Sequence, residues 1–196
     1  MTEYVLWAVI VAIAIAIAAA WFYWHRPSRP TPSWARTGKP LPNFTAVDER
    51  GDPVRSTDLH GAPAVILFVR GSWCPFCNAQ VKRLTRYYKD IVDLGGRLVL
   101  ITPKPLETTR RVAEFFEVEF EFWLDESLQI ARQLDLVLSA GVPGSYRKEY
   151  GSDTVWPTAI VTDAAGIIAY VKLSKNFADR PNPKELLAAI RDATGP

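Results

Sequence analysis

Residues 65–77, VILFVRGSWCPFC, constrain this chain more than any other stretch. An apolar run from Ala64 to Val69, rich in Val, Ile and Phe, has the pattern of a central strand covered on both faces. It stops at Gly71-Ser72. Cys74 and Cys77, the only cysteines among 196 residues, follow three positions apart. Pro75 suits the first position of a helix, where its missing N–H has no partner to lose. Both thiols are therefore predicted on the first turn of a helix fed by a buried strand.

That placement carries chemistry. The thiolate is the reactive form of cysteine, and unpaired N–H groups at a helix N-terminus stabilise it. Cys74 reads as the nucleophile. Cys77, one turn on, reads as the thiol that resolves an oxidised or mixed-disulfide form of Cys74. Arg70, at the strand end, is placed to stabilise a thiolate or a polarised peroxide; its alternative is a surface or ion-paired arginine. Trp73 either shields the sulfur or is ordinary packing. A structural zinc site needs about four ligands, and two cysteines with two histidines do not supply one, so no metal and no other cofactor is expected. A structural disulfide within one turn closes too small a loop to add much stability.

Composition removes other classes. With 23 basic and 21 acidic residues the net charge is +2, too balanced for a nucleic-acid binder relying on a basic face. Tyr4 to Trp24 carries no charge, and at ~1.5 Å per residue it covers roughly the 30 Å of a bilayer core. Trp7 at one end and Trp21, Tyr23 and Trp24 at the other fit interfacial belts. No basic residue precedes the stretch, which argues for an uncleaved span over a signal peptide. Residues 26–40, with Pro27, Pro30, Pro32 and Pro40, read as an extended spacer. The expected organisation is an anchor over 1–25, a linker over 26–40 and a folded domain over 41–196.

Within that domain, segments from Asn43 to Val47 and Pro53 to Thr57 form a hairpin across 48–52. The helix that starts at Cys74 or Pro75 carries an inward stripe of Val81, Leu84, Tyr88, Ile91 and Val92 and ends at Gly95-Gly96. Arg97 to Thr102 is a second buried strand. A helix is expected over Leu106 to Phe116, with Val112, Phe115 and Phe116 inward. A strand follows over Glu119 to Leu124, then a helix from Glu126 to Leu134. Val137 to Ser152 is Gly-rich and irregular, a surface loop or short helices near the site. Strands at Pro157 to Thr162 and Ile167 to Leu173 flank the turn 163–166, and a last helix runs from Pro183 to Ala193. Buried strands alternating with helices argue an α/β three-layer fold around a mixed sheet.

Phe68 to Cys77 followed by an amphipathic helix resembles the thioredoxin fold. More narrowly the chain resembles the peroxiredoxin-like branch of the alkyl hydroperoxide reductase/thiol-specific antioxidant (redoxin) superfamily. Val155 to Asp163 with Gly166, Asn43 to Leu59, and Asn176 to Ile190 with Arg180, Pro181 and Pro183 extend the likeness over residues 40–194. The resemblance implies that Pro157 is the fold's cis-proline opposite Cys74, with Trp156 offering its backbone to a substrate strand. A trans proline opening an edge strand is the alternative. The chain also departs from the pattern. Peroxiredoxins carry a Pro and a Thr where Leu67 and Gly71 stand, and an Arg on the late strand facing the cysteine; this chain has Pro157 nearby instead. Ser72 and Arg70 are the candidate substitutes. The buried Asp of thioredoxin corresponds to Phe68.

These readings predict a membrane-anchored thiol-disulfide oxidoreductase cycling Cys74 and Cys77, with a protein disulfide or dithiol as substrate and an external thiol or disulfide partner for recycling. The alternatives are a peroxiredoxin-like peroxidase acting on peroxide, with Cys74 peroxidatic, and a thiol-based copper carrier or assembly factor. The bilayer is the partner of residues 4–24; no nucleic acid is expected. Arg26, Arg29, Arg36 and Lys39 after the span favour a cytoplasmic domain, while usage among tethered members of the resembled fold favours the opposite side. Both remain open.

Overall fold

The computed structural model describes residues 2–24, 29, 31–103 and 120–194. It divides into two units, 1–30 and 31–196. The first holds a single helix, α1 (Thr2–Trp24). Over Tyr4–Trp21 its mean hydropathy is 2.4 and none of it is buried. Length and composition are those of a membrane span or a signal sequence.

The second unit is built on a seven-stranded sheet in the order β2-β1-β5-β4-β3-β8-β9. The strands are β1 (Thr45–Asp48), β2 (Pro53–Arg55), β3 (Ala64–Phe68), β4 (Arg97–Thr102), β5 (Glu121–Leu124), β8 (Thr158–Thr162) and β9 (Ile168–Leu173). A separate two-stranded ribbon pairs β6 (Val137–Leu138) with β7 (Thr154–Val155). β3 runs parallel to β4 and antiparallel to β8, and β4 runs parallel to β5, so the sheet is mixed. This is the expected thioredoxin-like arrangement, with β1 and β2 as the predicted hairpin.

The period-2 alternation of the central strands creates two cores. Ala64, Ile66 and Phe68 face one, with Val99, Ile101 and Trp123. Leu41, Phe44 and Leu59, together with Ile130, Ala131 and Leu134 on and just after α4 (Gln129–Gln133), close that side. Val65, Leu67 and Val69 face the other core, with Leu98, Leu100 and Val161. α2 (Pro75–Thr85), α3 (Tyr88–Asp93) and α6 (Pro183–Thr194) cover it with Val81, Leu84, Ile91, Leu186, Leu187 and Ile190. Both cysteines belong to this second core. Helices on both faces of the sheet complete three layers.

Two expectations change. The helix predicted to run continuously from Cys74 to Gly95 is broken into α2 and α3. Thr85 Oγ1 donates to the carbonyl of Lys82 at 2.7 Å, and Tyr87 leaves helical geometry at φ −109°, ψ 3°. Side-chain bonding of this kind competes with the helix ladder. Ile91 is buried beyond the break, while Val92, expected inward, is 47% exposed. The helix predicted over Glu126 to Leu134 shortens to α4. The helix predicted over Leu106 to Phe116 lies outside the described residues. The irregular stretch contains a 3₁₀ turn at Gly144–Tyr146 and α5 (Arg147–Tyr150).

α4 begins where it does because of Asp125. Its N-cap residue, Leu128, is left-handed at φ 55° and offers no side-chain acceptor. The buried Asp125 carboxylate instead accepts the N–H groups of Ile130 and Ala131, each at 2.9 Å. Removing an acceptor from buried donors costs about 1–3 kcal/mol. Asp125→Ala is expected to lower the unfolding free energy of the full-length protein by about that amount in urea titrations, with α4 the first segment to lose amide protection.

Candidate active site

The chain reaches the cysteines through a short connection in which each residue is fixed. Val69 N–H still bonds the carbonyl of Ile101 at 2.9 Å, continuing the strand pairing. Arg70 N–H donates to Cys77 Sγ at 3.4 Å, and its carbonyl accepts from Thr154 Oγ1 at 3.4 Å. Gly71 turns the chain at φ +119°, in the region that favours glycine. A Cβ there would lie 2.7 Å from the ring of Tyr150 and 3.1 Å from Trp73 Nε1. Asn78 Nδ2 holds the Ser72 carbonyl at 2.7 Å. Cys74 then takes the N-cap position of α2, Pro75 stands at its start, and the Cys77 and Asn78 N–H groups bond the Cys74 carbonyl.

Both thiols are free and buried, at 1% and 2% exposure. Their titrations are tied together. The Cys77 thiol donates a hydrogen bond to Cys74, which holds Cys74 as a thiolate with its pKa lowered to about 5. Burial opposes this shift; the Cys77 backbone N–H and the charges of Arg70 and Arg180 support it. Cys77 moves the other way. Donating to Cys74 pushes its pKa far up, with burial and the Cys74 charge adding to the effect. In the reduced pair one proton is shared and sits on Cys77.

Arg70 is buried rather than a surface residue, at 5% exposure. Its guanidinium lies 4.5 Å from the centre of the Trp73 ring and 4.8 Å from that of Phe177. Nη2 donates to the Gly141 carbonyl at 2.6 Å, and among the described residues Nε is buried without a hydrogen-bond partner. Trp73 is a site wall: it stacks on Tyr146 at 6.0 Å and meets Tyr150 edge-on at 6.4 Å. Ser72 Oγ lies 3.2 Å from the Tyr150 hydroxyl. Arg180, on the loop before α6, places Nη2 3.5 Å from Cys77 Sγ. Beside this, a cavity of about 110 Å³ is lined by Phe76, Gln80, Arg83, Arg180 and Pro181, among others.

Pro157 and Trp156 stand differently from the expectation. No cis peptide bond occurs among the described residues, so the Trp156–Pro157 bond is trans. Pro157 is buried at the head of β8, next to the end of β3, where Phe68 pairs with Thr158. The Trp156 backbone is not left for a substrate strand. Its N–H donates to the Leu136 carbonyl at 2.6 Å, and its carbonyl accepts from Thr158 Oγ1 at 3.1 Å. The trans form is the ordinary preference of an X–Pro bond.

Sequence reading did not assign site roles to Tyr146, Tyr150, Phe177, Gly141 or Arg180. The four-residue spacing of Tyr146 and Tyr150 inside the irregular stretch was the available signal for the first two. For Arg180 it was the Asn176…Asp179 pair, whose side chains fold a tight loop: Asn176 Oδ1 accepts from Ala178 N–H and Asp179 N–H, and Asp179 Oδ2 from Lys175 N–H.

A thioredoxin-like sheet with two thiols at a helix start, one of them a thiolate, defines the class: thiol-based oxidoreductases. Residues 37–171 match the AhpC/TSA family, and the chain belongs to it. It is 25% identical over 96 residues to the chloroplastic peroxiredoxin Q of Sedum lineare, covering 49% of this chain and 52% of that protein, so it spans about half the length of that curated relative. The peroxidoxin BcpB structure from Mycobacterium tuberculosis superposes with a TM-score of 0.66 at 21% identity, over 80% of this chain and 97% of that one. Peroxiredoxin Q from Xanthomonas campestris gives a TM-score of 0.62 at 12% identity, over 77% and 91%. A solution structure of a putative protein disulfide isomerase from Bacteroides thetaiotaomicron gives 0.55 at 19%, over 82% and 91%. At these identities the structural likenesses establish the fold.

The role of Gly71 separates from backbone strain by comparison with Gly38, which also has positive φ (+80°) but nothing within 4 Å of a Cβ. Gly38→Ala is expected to cost about 1 kcal/mol of stability, from the left-handed backbone alone. Gly71→Ala is expected to cost about 1–3 kcal/mol more, because Tyr150 or Trp73 must move. Parallel thermal melts of the two variants measure the difference.

Proposed function

We propose that this protein is a thiol peroxidase of the AhpC/TSA family whose working unit is the Cys74–Cys77 pair. The observation that carries the reading is the buried Cys74–Cys77 pair at the head of α2, with Cys74 at the N-cap and Arg180 against Cys77 Sγ, a setting that lowers the Cys74 pKa and raises that of Cys77. The Cys74 thiolate attacks the terminal oxygen of a hydroperoxide. An S–O bond forms as the O–O bond breaks, giving a sulfenic acid on Cys74 and an alkoxide that takes the Cys77 proton. Cys77, now a thiolate, attacks the sulfenic sulfur; hydroxide leaves and is protonated to water, and a Cys74–Cys77 disulfide remains. An external dithiol reduces it. Trp73 and Arg70 wall the thiolate, the Arg70 charge adding to its stability; Pro75 sets the helix start. Trp156 and Pro157 support the end of β3 from the adjacent strand.

Burial of Cys74 to 1% exposure favours a small oxidant over a folded protein disulfide. The second reading, a thiol-disulfide oxidoreductase, rests on the C-x-x-C spacing, which closes a disulfide after attack on any disulfide substrate. In both readings the anchor segment of residues 1–25, which contains α1, tethers the domain of residues 41–196 to a bilayer through the linker 26–40, and either face of the membrane is compatible with the chemistry.

Rapid mixing of the reduced full-length protein with hydrogen peroxide tests the assignment. Disulfide formation faster than oxidation of free cysteine is expected, Cys74→Ser is expected to abolish it, and Cys77→Ser to stop at a dimedone-reactive sulfenic acid. Oxidation no faster than free cysteine, with rapid reduction of insulin disulfides, would reverse the order of the two readings.

A further inference from the structure

Resolution requires Cys77 to become a nucleophile, although in the reduced pair it is the group that keeps the proton. Oxidation of Cys74 removes the Cys74 charge and the hydrogen bond that hold that proton. Among the described residues, what then faces the Cys77 sulfur includes the Arg70 N–H at 3.4 Å, from the end of β3, and the Arg180 guanidinium at 3.5 Å, from the loop between β9 and α6. The Arg70 guanidinium is committed elsewhere, between Trp73 and Phe177 and on the Gly141 carbonyl.

Arg180 is arranged to keep its charge available. Among the described residues it pairs with no carboxylate: Nη1 donates to the Asp179 carbonyl at 2.9 Å, and Nε is buried without a partner. The carboxylate nearest in sequence, Asp179, is drawn away. It accepts Lys172 Nζ at 3.0 Å and Lys175 N–H at 2.9 Å. The carbonyl of Asp179 accepts from Ser174 Oγ at 2.6 Å, which ties the loop to the end of β9. Lys172 thus neutralises the anion that would otherwise compensate Arg180. A guanidinium beside a sulfur, without a carboxylate, favours the thiolate form of that sulfur.

We propose that Arg180 is a catalytic residue of the resolving step, stabilising the Cys77 thiolate once Cys74 carries its oxidised group, and that Lys172 positions it for this by holding Asp179. The proposal rests on the Cys74–Cys77 cycle above but not on peroxide as the oxidant. It assigns the resolving step to a charge outside the C-x-x-C motif, on the loop that also sets Phe177 against Arg70.

Dithiodipyridine, a neutral disulfide, tests it without peroxide. The Cys74 thiolate attacks it, releasing one thiopyridone and leaving a mixed disulfide; Cys77 then attacks the Cys74 sulfur, releasing a second thiopyridone and closing the Cys74–Cys77 disulfide. The second release reads Cys77 alone. In the full-length protein Arg180→Ala is expected to slow it about three- to tenfold at neutral pH. Loss of one adjacent cation lowers the thiolate fraction about tenfold, and the greater nucleophilicity of the more basic thiolate offsets part of that. The pH midpoint of the second release should rise by about one unit. Arg180→Lys, which keeps the charge, is expected to recover most of the rate, and Lys172→Met to slow it less than Arg180→Ala does. A second release in Arg180→Ala with the wild-type rate and pH midpoint overturns the assignment, as does slowing that Arg180→Lys leaves unrelieved. Absence of a second release in the wild-type protein overturns the Cys74–Cys77 cycle and the assignment with it, whereas a normal second release in a protein inert to peroxide removes only the peroxidase reading.

Discussion

The buried Arg70 guanidinium and the Cys74 thiolate share one site, and each is favoured by the other's charge. Arg70 is almost wholly removed from water, and among the described residues no carboxylate pairs with it. Isolated burial of such a charge is strongly unfavourable unless it is paired or well bonded. The stacking of Trp73 and Phe177 and the Gly141 carbonyl supply part of the compensation. The charge of the Cys74 thiolate adds to it, and Arg180 contributes a second positive charge from the opposite loop. The features around the pair follow from this. Gly71 gives the backbone reversal and the space that let Trp73 and Tyr150 close over the site, and Ser72 and Asn78 fix the approach to α2.

The sheet decides which proton chemistry is open to the site. Strand alternation sends Leu67 to the cysteine side and Phe68 to the opposite core. Neither position brings a carboxylate to the sulfur, and Gly71 brings no hydroxyl. In the proposed cycle the proton is instead handled within the pair: Cys77 holds it while Cys74 is a thiolate and surrenders it when Cys74 is oxidised. With the departures at Leu67, Phe68 and Gly71 from relatives of this fold, the titrating groups at the head of α2 are the two thiols, beside the charges of Arg70 and Arg180. Membership of the AhpC/TSA family and the buried setting of Cys74 place that chemistry within thiol redox catalysis.

Much of this was legible in the chain. The run 64–69 named the central strand, the cysteine spacing and Pro75 named the helix start, and the hairpins at 43–57 and 157–173 fixed the sheet's edges, because these depend on local pattern and burial. The break at Thr85–Tyr87 was not legible, since the apolar stripe continues across it and the hydroxyl of Thr85 bonding back to Lys82 is a competing local contact that the stripe does not show. Arg180 and Phe177 were missed for a different reason. They lie about a hundred residues from the cysteines, and only the folding of the Asn176–Asp179 loop brings them there. Trp156 was misread because its N–H, free in an extended strand, is used by Leu136 across the β6–β7 ribbon.

The proposed chemistry depends on Cys74 being a thiolate in the reduced protein, and the pH dependence of its alkylation tests that most directly. With Cys77 donating to Cys74 and two arginines beside the pair, the rate of iodoacetamide attack on Cys74 should rise as pH rises through about 5 and then stay level to neutral pH. A midpoint near 8.5, that of an ordinary thiol, would contradict the thiolate pairing and the mechanism built on it.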